Sequence, residues 1–129
     1  MYQFSALSID RMTGVNTRLI EITHRAIELS RVDFGIPGDG GVRTAERQRQ
    51  LFDERRSKCD GVNKVSEHQS GRALDVYAYV NRKATWDEAH LTTVAAAMLQ
   101  AASELGYGLQ WGGHWQTFCD MPHFQLVER

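Results

Sequence analysis

The sequence predicts an α+β domain, a small antiparallel sheet with flanking helices. Three observations carry that prediction. Apolar residues recur every three or four positions between residues 12 and 32. Residues 72–80 alternate between two faces, and an alanine-rich run from Val94 to Ala102 separates them from a last pair of short strand-like segments. The order helix, helix, strand, helix, strands fits helices gathered on an antiparallel sheet. At 129 residues the chain is long enough for one domain, residues 1–129, with its own core, and too short for two ordinary ones.

Along 12–32 the apolar positions are Val15, Leu19, Ile22, Ala26 and Leu29, one face of a helix. Gly35, Pro37, Gly38, Gly40 and Gly41 then predict a turn-rich loop. In VRTAERQRQLFDERRSK, Thr44 is placed to cap a second helix with Leu51 and Phe52 on its apolar side. Residues 57–71 read as polar and irregular, with Asp60-Gly61 as a turn signal. In the strand, Leu74, Val76, Ala78 and Val80 share one face, and Ala73, Asp75, Tyr77 and Tyr79 the other. Asn81 to Ala84 read as a loop. Thr85-Trp86-Asp87-Glu88 has the form of a capping box. It opens a central helix through the alanines, which favour helix, to a stop near Gly106. YGLQWGGHW reads as a glycine-broken strand or hairpin and PHFQLV as a short final strand.

Composition excludes several classes. Fifteen basic and sixteen acidic side chains leave a net charge of -1, which argues against a mainly electrostatic nucleic-acid binder. Arg43, Arg47, Arg49, Arg55 and Arg56 form a local basic run, whose plain reading is a solvated helix face. No stretch is apolar enough to insert in a membrane. MYQFSALSIDRMTG lacks the basic-then-apolar order of a secretory signal, so the chain is expected to stay in the cytoplasm until something releases it. Cys59 and Cys119 make no disulfide framework and are expected as free thiols in a reducing cytosol.

The chemistry concentrates in SEHQSGRALDVYAYV, residues 66–80, which carries an Asp into what otherwise reads as a buried strand. Burying a carboxylate without a partner is costly, so Asp75 asks for one. A catalytic zinc typically takes three protein ligands from His and carboxylate and leaves one position open. His68 lies just before the strand, Asp75 on it, and His123 opens the last strand. If the two strands are antiparallel neighbours, Asp75 and His123 meet across the sheet. Gly71 allows the tight turn between His68 and the strand.

In Asp120-Met121-Pro122-His123, the proline fixes the placement of Asp120 relative to His123. A carboxylate near the metal but not bound to it suits a general base, although a turn aspartate before proline also has ordinary structural uses. Arg43 is placed as the group that holds a developing oxyanion or a substrate carboxylate. No HExxH helix and no paired CxxC is present. His114, in WGGHW, reads as a pocket-wall residue contacting substrate. Trp111 and Trp115 read either as groove-lining or as packing of the glycine-rich hairpin. Cys119 is adjacent to Asp120 on an extended segment and is expected to face away from the metal.

Three strings in order resemble a known family. SEHQSGRALDV resembles the SxHxxGxAxD motif of zinc peptidases that cut bacterial cell-wall peptides, DMPHFQL resembles their DxPHF-type motif, and GVRTAERQRQLF resembles the arginine segment that precedes both. The group includes VanY-like D-Ala-D-Ala carboxypeptidases and phage L-alanyl-D-glutamate endopeptidases, and the likeness spans Phe34 to Leu126. It implies a hedgehog/DD-peptidase-like fold with one catalytic zinc ion on His68, Asp75 and His123. It also implies Asp120 as base, Arg43 as the arginine that orients substrate, and Ser66 as a support of the substrate site. Among members, the chain is most similar to small phage and prophage endolysins. That implies bacterial peptidoglycan as substrate, the L-Ala–D-Glu bond as the cut, and host lysis as the role. The enzyme is expected to be a monomer, held in the host cytoplasm until a holin releases it to the periplasm. The alternatives are a D-Ala-D-Ala carboxypeptidase of the same fold and a non-catalytic zinc-stabilised wall-binding module.

Overall fold

A computed structural model describes residues 1–127. Its elements are α1 (Ala6–Arg11), α2 (Thr17–Leu29), β1 (Asp33–Gly35), α3 (Ala45–Asp53), β2 (Ala73–Asp75), β3 (Tyr77–Val80), β4 (Lys83–Thr85), α4 (Glu88–Leu105), β5 (Leu109–Trp111), a 3-10 turn (Gly112–His114) and β6 (His123–Leu126). The α+β class holds, but the strands form two antiparallel sheets of three, in the orders β1-β3-β4 and β2-β6-β5.

The helix expected over 12–32 is shorter, and a second one precedes it. Ser5 caps α1, and the chain then turns before Asn16, whose side chain accepts from Arg18 N–H and caps α2. Leu19, Ile22 and Ala26 are fully buried as the spacing predicts, whereas Val15 reaches the core from the turn. The α2 helix lies on α4, where Val94, Met98 and Ala101 are fully buried. These side chains join Phe34, Ile36, Leu74, Val76, Ala78 and Phe124 in the hydrophobic core.

Four local expectations need correction. The predicted loop after α2 begins with strand β1, which pairs Phe34 with Ala78. The single strand 72–80 is broken at Val76. There the Asp75 N–H donates to Gly40 O at 2.8 Å and the Val76 N–H to Pro122 O at 3.0 Å, and the chain passes from one sheet to the other. Residues 81–84 are mostly a tight hairpin. Asn81 and Arg82 take φ of 52° and 65°, the left-handed pair that matches strand twist, and β4 follows at once. Thr85 belongs to β4, opposite Ala78. The α4 cap is Asp87, whose carboxylate accepts from Ala89 N–H. Thr44 does cap α3, accepting from Arg47 N–H, with Leu51 buried but Phe52 exposed. The α4 helix ends at Gly106 in the left-handed conformation.

Candidate active site

The two strands expected to meet do so. β2 and β6 are antiparallel with Asp75 directly opposite His123. His68 sits in the turn ahead of β2. Its N–H donates to Ser66 Oγ at 3.2 Å, and the turn closes at Gly71 with φ 76°. A side chain at Gly71 would also meet the Gly14 carbonyl. The result is a cluster in which ligand atoms of His68, Asp75 and His123 lie within 4.8 Å of one another, and it could hold a metal ion. His68 Nε2 is 3.2 Å and His123 Nδ1 3.1 Å from the same oxygen, Asp75 Oδ1.

The protonation of the rings shows why a cation fits. His68 Nδ1 lies 3.0 Å from Gly41 O, and a carbonyl can only accept, so that nitrogen carries the hydrogen. His123 Nε2 lies 2.8 Å from Gln125 Oε1, an acceptor as well. In neutral rings the remaining lone pairs, on His68 Nε2 and His123 Nδ1, both face an Asp75 carboxylate oxygen. Three electron-pair donors aimed at one point repel unless a positive charge sits among them. Burial pushes the His123 pKa down, yet the hydrogen bond and charge of Asp75 outweigh it and raise it overall. Burial likewise pushes Asp75 up, but hydrogen bonds to His123 and His68 hold it well below the usual carboxylate range. The site favours positive charge.

Arg43 is tied to this cluster. Its Nη2 donates to Asp75 Oδ2 at 3.1 Å, its Nε to Asp39 O at 2.8 Å and its Nη1 to Gln48 Oε1 at 3.1 Å. With 12% side-chain exposure it lines the cavity while orienting the carboxylate, a role the sequence did not suggest. Asp120 lines the same cavity of about 910 Å³. Burial and then the charge of Asp75 push its carboxyl up. Its backbone is braced by the 3-10 turn: Asp120 N–H donates to Gly112 O at 3.0 Å, and a Cβ at Gly112 would run into the Asp120 carbonyl. Trp111 Nε1–H donates to Met121 O at 2.7 Å, so this tryptophan is buried and structural.

Trp115 lines the cavity with its ring 5.2 Å from that of His123. Ser66 also lines it and supports His68. His114 lies elsewhere, exposed and stacked edge-on against Trp111 at 4.8 Å, and is not among the cavity-lining residues. Cys119 is exposed, with its thiol 3.6 Å from Gly113 O, and is outside the ligand cluster. Two residues went unforeseen. Gln125 shares a strand face with His123 by the alternation rule and could have been found that way. Gln48 is a fully buried glutamine in an arginine-rich helix, and nothing in its local sequence announces its distant partners.

Comparison with known proteins finds relatives of the whole chain. The family model described as phage L-alanyl-D-glutamate peptidase matches residues 1–127. The L-alanyl-D-glutamate peptidase of Escherichia phage T5 is 32% identical over 120 residues, 92% of this chain and 85% of that protein. The crystal structure of the Serratia marcescens L-Ala D-Glu endopeptidase ChiX aligns with a TM-score of 0.86 at 32% identity, covering 97% of this chain and 90% of that one.

Proposed function

The chain belongs to the phage L-alanyl-D-glutamate peptidase family, and we propose that residues 1–129 form one zinc-dependent catalytic domain that cuts the L-Ala–D-Glu bond of peptidoglycan stem peptides. The observation that carries the reading is the convergence of His68, Asp75 and His123 on one point of a cavity that also holds Asp120. Two imidazoles and a carboxylate suit zinc and leave a position open for substrate.

A zinc ion held there supplies Lewis acidity toward a water molecule and the scissile carbonyl. The residues do the rest. Gly41 and Gln125 fix the hydrogens on the outer nitrogens of the two rings, which leaves His68 Nε2 and His123 Nδ1 free to bind. Arg43 holds the second oxygen of Asp75 and so fixes the angle of the first. Asp120 takes a proton from the attacking water and passes it to the leaving amine. A carboxyl raised by burial is a better base toward that water, and the leaving amine, more basic than any carboxylate, then draws the proton on. Trp115 walls the substrate groove beside His123.

The biological reading follows from the same assignment. The enzyme acts as an endolysin in host lysis, held in the cytoplasm until a holin opens the way to the periplasm, and works as a monomer. No helix of the described residues is long and apolar enough to cross a membrane. The test is digestion of purified Gram-negative peptidoglycan by wild type and Asp120→Ala, with metal content measured on both. New D-Glu amino termini from wild type, at least about a hundredfold fewer from the variant, and equal zinc in both are expected. Release of D-Ala by wild type would replace the endopeptidase with a carboxypeptidase, and absence of bound metal would overturn the mechanism.

A further inference from the structure

One wall of the active-site cavity is the segment between α3 and His68, which brings Lys58 and Lys64 to the lining. Among the described residues neither ammonium has a carboxylate within 4.0 Å. Neighbouring Arg56, by contrast, pairs with Glu54 at 3.3 Å. Two unpaired cations in the lining of a cavity raise its positive potential.

The segment is built to stay in place. The fully buried Gln48 donates from Nε2 to Ser57 Oγ at 2.7 Å and to Cys59 O at 2.8 Å. Its Oε1 accepts from Arg43, so the wall is joined through two side chains to Asp75. Beyond it, Asp60 Oδ1 accepts the backbone N–H groups of Val62, Asn63 and Lys64 at 3.0, 2.8 and 2.9 Å. Lys58 Nζ lies 4.7 Å above the ring of Phe118, two residues before Asp120. An ammonium on an aromatic face is held in position yet keeps donors free for a ligand.

We propose that Lys58 and Lys64 form a carboxylate subsite for the D-Glu side of the cut peptide, so that the enzyme selects stem peptides with free acids over amidated ones. The inference rests on the function proposed above. In that substrate D-Glu is linked onward through its γ-carboxyl. Its α-carboxylate is therefore free, on the carbon that bears the scissile nitrogen, and the diamino acid that follows carries another. Either anion would meet the lysine wall as the charge-assisted partner it lacks.

The experiment uses zinc-loaded enzyme and synthetic L-Ala-γ-D-Glu-diaminopimelate peptides in three forms. One has all acids free, one has the D-Glu α-carboxylate amidated, and one has the diaminopimelate carboxylates amidated. Wild type should favour the free acid over at least one amidated form by on the order of tenfold in kcat/KM, carried by KM. K58M/K64M should lose that preference, with its kcat/KM on the free acid falling to the amidated level and its zinc content and circular dichroism unchanged. K58R/K64R should keep the preference. The amide that removes the preference identifies the carboxylate bound. A wild type indifferent to both amides, or a preference retained by K58M/K64M, overturns the subsite alone. Absence of wild-type cleavage between L-Ala and D-Glu overturns the subsite and the proposed function together.

Discussion

The two sheets share one run of chain, residues 73–80, and divide its labour. In β2-β6-β5 the run ends at Asp75, opposite His123. In β1-β3-β4 it continues through Ala78, whose neighbours are Phe34 on one side and Thr85 on the other. The first sheet gathers every ligand atom of the cluster except that of His68, and its Asp75, His123 and Gln125 line the cavity. The second buries Phe34 and Ala78 and leaves Tyr79 and Lys83 to solvent. A carboxylate can stand in the middle of a buried run because the run changes sheets directly after it. At that seam the backbone N–H groups of Asp75 and Val76 find partners outside their own ladders, and room opens for the side chain to face a cavity.

If chemistry belongs to one sheet and stability to the other, damage to each should separate. Asp75→Ala removes the carboxylate of the His68-Asp75-His123 cluster and leaves Arg43 without its partner. Bound metal after dialysis should fall to background, and peptide hydrolysis should drop by roughly a thousandfold or more. Stoichiometric metal in that variant would place the ion elsewhere. Phe34→Ala, in the other sheet, should cost about 3 kcal/mol or somewhat more in urea unfolding. Metal affinity measured on the folded fraction should stay at the wild-type value. A loss of affinity there would show that the sheets are not independent.

Gln125 sharpens the comparison within the sheet that carries the cluster. Its Oε1 accepts from His123 while its Nε2 donates to Gln110 Oε1 at 3.4 Å, across the β5-β6 register. Turned the other way, the amide would offer N–H to His123, move the ring hydrogen to Nδ1 and block the nitrogen that faces the cluster. Gln125→Leu should therefore weaken zinc about 10- to 100-fold in chelator competition, and Gln125→Glu, which keeps an acceptor, should restore it. Equal affinities in all three proteins would remove Gln125 from the site.

These residues also mark how far the sequence can be read. Asp75 and His123 were legible as neighbours because period-two alternation and apolar flanks fix a strand face wherever one side is buried. The α2 and α4 helices were legible because their apolar stripes are long. The break at Val76 was not, since both halves of 73–80 keep the same alternation. Only distant partners, Gly40 O and Pro122 O, distinguish them. The α4 cap went to Asp87 and not Thr85 because Thr85 is claimed by the hairpin, a tertiary preference that a local motif does not contain. Arg43, which lines the cavity, was singled out by its sequence segment but not as the partner of Asp75. That contact spans 32 positions and follows no period.

The segment over residues 57–64 is the hardest case, since it has no periodicity and depends on single side chains. Asp60 supplies the finest test of whether it is a fixed wall. The backbone N–H groups of Lys64 and Val62, with Asn63 contributing, hold its pKa below the ordinary carboxylate range, down to about 2. A carboxylate with a depressed folded-state pKa stabilises the fold above its unfolded pKa, and that contribution is lost as pH falls through the folded value. The wall should thus keep its full Asp60 contribution above about pH 4 and lose it between there and pH 2. The group is only partly covered, so the effect should be local and small. In NMR titration the amide shifts of Val62, Asn63 and Lys64 should move together with a midpoint near 2, and Asp60→Ala should abolish that transition while leaving the amides of β6 unmoved. A midpoint near the ordinary carboxylate value would mean that the three N–H groups do not hold Asp60. The lysine wall would then be mobile, in contrast to the rigid strand pair it faces.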